Sequence, residues 1–185
     1  MRPCKGVVEM KKHTALQAAQ WFLSHNRMME DDYGAESLSN LKLNHLLYYA
    51  QGAFLSIMEN PLFDEDIVAG EQGPVVESVY RKYKRFGAEG IDFEEDFPPD
   101  SYIETEDALL AEIYDAFGQF PAWKLRNMTQ EERPWKNTGR NCIMRKDEIK
   151  RYFENQYIDP EGWEIDTVDV LPKEEYDPEE DLLWG

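Results

Sequence analysis

The sequence predicts a mainly α fold: a single compact helical domain with at most a short β-hairpin, and an extended acidic C-terminal tail. Three observations carry that expectation. Apolar residues recur at three-four spacing through the middle of the chain, beginning with Ala15, Leu16, Ala19, Phe22 and Leu23. The 185 residues amount to about one domain, long enough to bury a core without disulfide or metal staples. The stretch from Lys173 to Gly185 holds six acids and one base, a composition that does not fold by itself. The expected layout is an N-terminal arm over 1–12, a helical domain over 13–157 and an acidic tail over 158–185.

Each element has its own warrant. Thr14 is placed to cap the first helix. The strongest segment runs from Ser39 to Glu59, where Leu41, Leu43, Leu46, Leu47, Ala50, Phe54, Ile57 and Met58 form a wide apolar face. Asn60-Pro61 ends it, because the residue before proline resists the helical conformation. Ile67-Val68-Ala69 reads as a short strand or extended piece at best. Gly73-Pro74 is expected to open a third helix, with proline in its first turn. That helix turns Val75, Val76, Val79, Tyr80 and Tyr83 inward, shows Arg81, Lys82, Lys84 and Arg85 to solvent, and stops at Gly87. The acidic stretch with Pro98-Pro99 is a loop. Thr105 is expected to cap a fourth helix built on Leu109, Leu110, Ile113, Tyr114 and Phe117. A short helix over 122–127 follows, and Thr129-Gln130-Glu131-Glu132 fits a capping box. Pro134-Trp135 reads as a packed corner. A last helix over 146–155 places Ile149, Tyr152 and Phe153 on one side, and the chain is expected to be extended from Tyr157 onward.

Composition narrows the function. With 38 acids against 20 bases the net charge is −18, which repels nucleic-acid phosphates and anionic lipid headgroups. Nothing approaches the roughly 18 consecutive apolar residues of a membrane span, and Met1-Arg2-Pro3-Cys4-Lys5 lacks the apolar core of a secretory signal. Cys4 and Cys142 are few and far apart, which suits a reducing cytoplasm. The charge is uneven. From Ala88 to Asp107 there are nine acids and no base, whereas from Phe120 to Arg151 nine bases face four acids. A basic face covered by acidic segments of the same molecule is the simplest reading. The acids of 173–185 and the apolar Leu182-Leu183-Trp184 are expected to dock on Arg81, Lys82, Lys84 or Arg85, or to stay unfolded.

Reaction chemistry is hard to find. His13, His25 and His45 are 12 and 20 residues apart, and neither cysteine has a Cys-x-x-Cys partner. No metal or cofactor is expected, and the histidines read as surface or core-edge residues. Gly70-x-x-Gly73 lacks the remaining residues of a dinucleotide or phosphate loop, and no Gly-x-Ser-x-Gly elbow occurs. Cys142, between Asn141 and Ile143-Met144, looks like a packing position. No catalytic residue is assigned.

Four stretches, in order, resemble the Panacea domain of SocA-like antitoxins, proteins often labelled phage-associated. Leu41-Lys42-Leu43-Asn44-His45-Leu46-Leu47-Tyr48-Tyr49-Ala50-Gln51-Gly52 is similar to a "KLQKLLYYAQG" helix. Pro61-Leu62-Phe63 followed by Ile67 resembles a "PLF…I.A" link. Gly73-Pro74-Val75-Val76 with Val79-Tyr80 and Tyr83-Lys84 resembles "GPV…VY..yK". Leu125, Met128-Thr129, Glu132 and Pro134-Trp135 resemble "Ls..TH.e.PW", and Ile149 with Tyr152-Phe153 closes the series. Gln130 stands where the family usually has histidine, and Ala69-Gly70-Glu71-Gln72 replaces its usual aromatic run. The resemblance implies a helical, non-enzymatic domain that neutralises a small protein toxin encoded beside it by direct binding. In one branch the antitoxin instead delivers the toxin to a ClpXP-type protease. The residues that carry the resemblance, Leu46, Tyr48, Tyr49, Gly73, Pro74, Val75, Tyr80, Thr129, Pro134 and Trp135, are structural or partner-binding, with Leu46, Val76 and Tyr80 expected in the core. The alternative function is a phage or mobile-element inhibitor whose acidic surface mimics nucleic acid.

Overall fold

The computed structural model describes residues 12–93 and 102–158. The arm up to Lys11 with Cys4, most of the acidic loop with Pro98-Pro99, and the tail beyond Ile158 lie outside the described residues. The described elements are α1 (Ala15–Tyr33), α2 (Asn40–Ala53), β1 (Val68–Gly70), β2 (Gly73–Val75), α3 (Glu77–Tyr83), α4 (Glu104–Phe117), α5 (Ala122–Glu131), α6 (Arg133–Lys136) and α7 (Lys146–Gln156). The fold is mainly α, with one two-stranded antiparallel hairpin.

Helix α2 is the centre. Every residue from Lys42 to Phe54 is buried, and α1, α3, α4, α5, α7 and β2 all pack against it. The apolar face read from the sequence is therefore only part of its buried surface. Its far end widens into one π-helical turn, Phe54–Met58, where Ser56 Oγ lies 2.8 Å from the Gly52 carbonyl and 3.2 Å from that of Lys150. Glu59, at φ 58°, closes the helix in the left-handed region just before Asn60-Pro61.

Helix α1 starts as expected. Thr14 and Gln17 form a reciprocal capping box, and Gly34 ends the helix at φ 69°. Helix α4 starts two residues earlier than expected: Ile103 is its N-cap and Thr105 lies inside the first turn. The Glu106 carboxylate accepts from the Ile103 N–H at 3.2 Å, which meets one of the orphan donors of a helix start. It also contacts His13 Nε2 at 3.0 Å, with both side chains buried. His13 stacks on Tyr102 at 3.9 Å, so this histidine belongs to the interior.

The third helix is corrected. Gly73-Pro74 forms strand β2, and α3 begins only at Glu77. Gly70 to Gly73 turn the chain through a two-residue hairpin loop, in which Gly73 takes φ +117°, far from any helical value. Pro74 opposes Ala69 in the register. Its missing N–H points to the free edge of the sheet, where proline costs no ladder bond. With the start delayed, Tyr80 falls on the outer side of α3 and is 41% exposed rather than core.

The capping box at Thr129 is also corrected. Helix α5 continues to Glu131, so Thr129 is an interior helix residue whose hydroxyl donates to the Arg126 carbonyl at 3.0 Å. The chain breaks at Glu132, whose ψ of 139° is extended, and restarts with Pro134 in the first turn of α6, where the lost donor is harmless. Helix α7 runs one residue further than expected and buries Ile149 and Phe153. Tyr157, expected as the start of extended chain, is fully buried.

Gly52 faces the Phe153 ring so closely that an added Cβ would overlap it. Alanine in a helix ordinarily stabilises relative to glycine by about 1 kcal/mol. Here we expect the opposite sign. Gly52→Ala should destabilise by about 1–3 kcal/mol through overpacking, read as a lower melting temperature with unchanged helical circular dichroism.

Candidate functional site: a clasped hairpin and its open groove

The residues that carry the family-like motifs converge on α2 from several directions. Asn44 Oδ1 accepts the Val76 N–H at 2.9 Å, and Asn40 Nδ2 donates to the Tyr80 carbonyl at 3.0 Å, which fixes the start of α3. Gln51 Oε1 accepts the N–H groups of Leu62 and Phe63, while its Nε2 donates to the Phe63 carbonyl. Each of these three amide side chains satisfies main-chain groups of a neighbouring segment that would otherwise be orphaned.

Tyr48 and Tyr49 meet Glu132. Tyr48 donates to its Oε2 at 2.5 Å, and Tyr49 and Tyr157 donate to its Oε1 at 2.9 and 2.6 Å. The carboxylate is buried. Desolvation pushes its pKa up to about 7, opposed by the three phenolic donors, Tyr157 first. Burial raises the three tyrosines further, so they remain protonated donors. One acid thus joins α2, the α5–α6 break and the end of α7.

His45 is fully buried rather than at a core edge. Its Nδ1 lies 2.8 Å from the Leu41 carbonyl, so Nδ1 carries the proton and Nε2 presents a lone pair. Desolvation lowers its pKa to about 4 despite that bond. Nε2 has no partner among the described residues and faces Gly73. A Cβ at Gly73 would fall 2.5 Å from Nε2 and 3.1 Å from Thr129 Oγ1. Glycine is required there twice, by φ and by space.

The hairpin is also braced at its turn. Trp135 is half-buried and its Nε1 donates to the Gly70 carbonyl at 3.1 Å. Gln130, in the position where the family usually has histidine, donates to the Glu71 carbonyl at 3.2 Å. Arg140 pairs with Glu71 at 2.5 Å. Cross-element pairs also join Lys12 to Asp64 and Lys150 to Glu59, so part of the basic surface is met by the chain's own acids.

A third extended segment lies on the open side of β1. Ala69 N–H donates to the Cys142 carbonyl, Asn141 N–H to the Ala69 carbonyl and Met144 N–H to the Ile67 carbonyl. Two residues oppose one, a bulge, and Asn141 takes the left-handed φ of 59° that asparagine tolerates. Cys142 and Ile143 are therefore exposed, not packed.

The register decides what this sheet shows. Val68 is opposite Val75 on one side and Ile143 on the other. Directly opposed residues share a face, so Ile143, Val68 and Val75 form one apolar row. Ala69 and Pro74, on the other face, are buried. Val68 and Val75 border a groove of about 770 Å³ with Leu41, Tyr80 and Lys84. Of the motif residues, Leu46, Tyr48, Tyr49, Pro74 and Thr129 are interior, Gly73 is the hairpin residue against His45, Trp135 braces the hairpin, Pro134 is buried, and Val75 and Tyr80 reach the groove. Sequence reading missed the roles of Glu132, Tyr157, His45 and Ile143. The signal for the first was two adjacent tyrosines in an apolar helix, since buried phenols need partners.

Among the described residues no group of three metal-ligating side chains converges, and no helix is long and apolar enough to cross a membrane. Fold and surface define a small helical domain whose core polar groups clasp a hairpin that shows an apolar face. The family described as antitoxin SocA-like, Panacea domain, matches residues 43–136. The chain belongs to this family. No curated protein and no solved structure matches it.

The pH response of Glu132 is testable. A carboxyl raised from 4.5 to about 7 in the fold adds stability that is complete below the unfolded value and lost as pH rises through about 7. Glu132→Gln removes that dependence, so parent-minus-variant stability should fall between about pH 5 and 8, by on the order of 3 kcal/mol. Parallel urea titrations across that range check it; a constant difference rejects the raised pKa. Trp135→Ala should also destabilise, because it removes half-buried indole area and leaves the Gly70 carbonyl without its donor. Its expected readout is a lower midpoint in the same titrations.

Proposed function

We propose that this chain neutralises a small protein toxin by direct binding, with the hairpin groove as the toxin-facing surface. The observation that carries the reading is the apolar row Ile143–Val68–Val75 beside Tyr80 and Leu41, on a domain whose family is described as antitoxin-like. A contiguous apolar surface with a central aromatic residue and a polar rim is the usual anatomy of a protein-binding site. The amides on the rim, Gln72 and Asn141, suit an extended partner backbone. Binding rather than catalysis is the proposed mode.

The test pairs the chain with a toxin encoded beside it. Co-expression should restore growth. Tyr80→Lys and Ile143→Asp, both exposed, should change stability by no more than about 0.5 kcal/mol and abolish rescue and complex formation. Rescue that survives both substitutions moves the interface elsewhere. Toxin that disappears from the cell only when a ClpXP-type protease is present identifies the delivery mechanism. A complex whose affinity falls steeply with salt supports the nucleic-acid mimic, since many phosphate-like contacts are screened together.

A further inference from the structure

We propose that the chain carries its own competitor for this groove: residues 173–185 dock there, with Leu182, Leu183 and Trp184 on the apolar row and the preceding acids along α3. The location of the groove rests on the preceding reading of the hairpin surface, but self-docking does not require a toxin.

Charge and apolarity are arranged in the same order on both partners. The segment has six acids between Glu174 and Asp181, then Leu182-Leu183-Trp184. The domain has four exposed bases on α3 and the turn after it, Arg81, Lys82, Lys84 and Arg85. Lys84 also lines the groove. Arg81 is already paired with Glu77. Lys84 and Arg85 are exposed and have no ion pair among the described residues. They are the cations left for an incoming acidic segment. The groove's own carboxylates, Glu71 and Glu77, are engaged by Arg140 and Arg81, so they oppose it less than bare acids would.

Reach is ample. Ile158, the last described residue, is 24 positions before Leu182. At roughly 3.3 Å per residue that linker spans up to about 80 Å, whereas a domain of this size has a radius of gyration of about 15 Å. A tether of this length holds its end at an effective concentration on the order of millimolar. Even a weak contact would then keep the groove covered until a tighter partner displaces it. Covering also removes from water an apolar row that would favour self-association.

The experiment uses full-length chains. A fluorescent peptide of residues 173–185 is titrated into the parent chain and into a chain carrying Leu182→Ala, Leu183→Ala and Trp184→Ala, with binding read by anisotropy. The peptide should bind the triple variant at least tenfold more tightly than the parent, whose own segment competes. Adding Tyr80→Ala, or Lys84→Glu with Arg85→Glu, to the triple variant should weaken that binding tenfold or more. Equal affinity for parent and triple variant, no binding to either, or binding indifferent to Tyr80, Lys84 and Arg85 overturns the proposal. A parent that sediments as a dimer while the triple variant is a monomer places the segment on a second copy and overturns the intramolecular form. Toxin rescue is scored separately. Rescue without peptide binding removes only the self-docking, and peptide binding without rescue removes only the toxin reading.

Discussion

A helix covered on every side must satisfy its polar side chains inside the protein, and that constraint organises the rest of this structure. Helix α2 carries Asn40, Asn44, His45, Tyr48, Tyr49 and Gln51, all buried. Left unpaired, each would cost on the order of 1–3 kcal/mol. Instead Asn40, Asn44, Tyr48, Tyr49 and Gln51 each hold a neighbouring segment: Tyr80, Val76, Glu132 and Phe63 are its counterparts. The hydrogen bonds that make burial tolerable also choose where the start of α3, the link after α2 and the α5–α6 break must sit. Apolar packing alone would allow these pieces to slide; directional bonds to one central helix do not.

Two titratable groups in this core pull in opposite directions with pH. Glu132, raised to about 7, favours the fold at low pH, whereas His45, lowered to about 4, is neutral in the fold and favours it at higher pH. For His45 the stability is complete above the unfolded value near 6.5 and is lost as pH falls toward 4. Between about pH 4.5 and 6.5 the two slopes oppose each other, so a core with two unusual ionisable residues need not be strongly pH-dependent. The tyrosines make this workable. Three phenolic donors on one carboxylate supply in the interior what water supplies outside, and their own raised pKa values keep them donors throughout.

The helices were legible wherever the apolar period was long. The centre of α2, the core positions of α4 and the Thr14 cap follow from spacing and capping chemistry, and the structure has them. The misreadings at Gly73-Pro74 and Thr129 share one cause: local signals with two solutions. Gly-Pro opens helices and also closes hairpins, and only the strand partner Val68–Gly70 and the space under Gly73 decide between them. Thr-x-x-Glu is a capping box when the threonine precedes a helix. Here α5 already runs through Thr129, and Glu132 is claimed by tyrosines more than 80 residues earlier in the chain. Tyr80 followed the first error, because a helix that starts three residues later turns a different face inward. The exposed Ile143 was invisible for another reason: it becomes surface only through a bulge at Asn141, which no spacing encodes.

The division between scaffold and surface follows from the pleat. Alternation along β1 and β2 sends Ala69 and Pro74 inward and Val68 and Val75 outward, so one short hairpin belongs to both. Its inner side is tied down by the space at Gly73, by Trp135 on Gly70 and by Gln130 on Glu71. Substitutions there act on the fold first. Its outer side is met by few of the domain's own groups, so Val68, Val75, Ile143 and Tyr80 can change with little effect on the core. In this architecture a rigid interior holds a small, replaceable apolar face at a fixed angle to α3. A domain built this way can keep one fold while its outward residues change, because the residues that hold the hairpin and the residues that show on it are different sets.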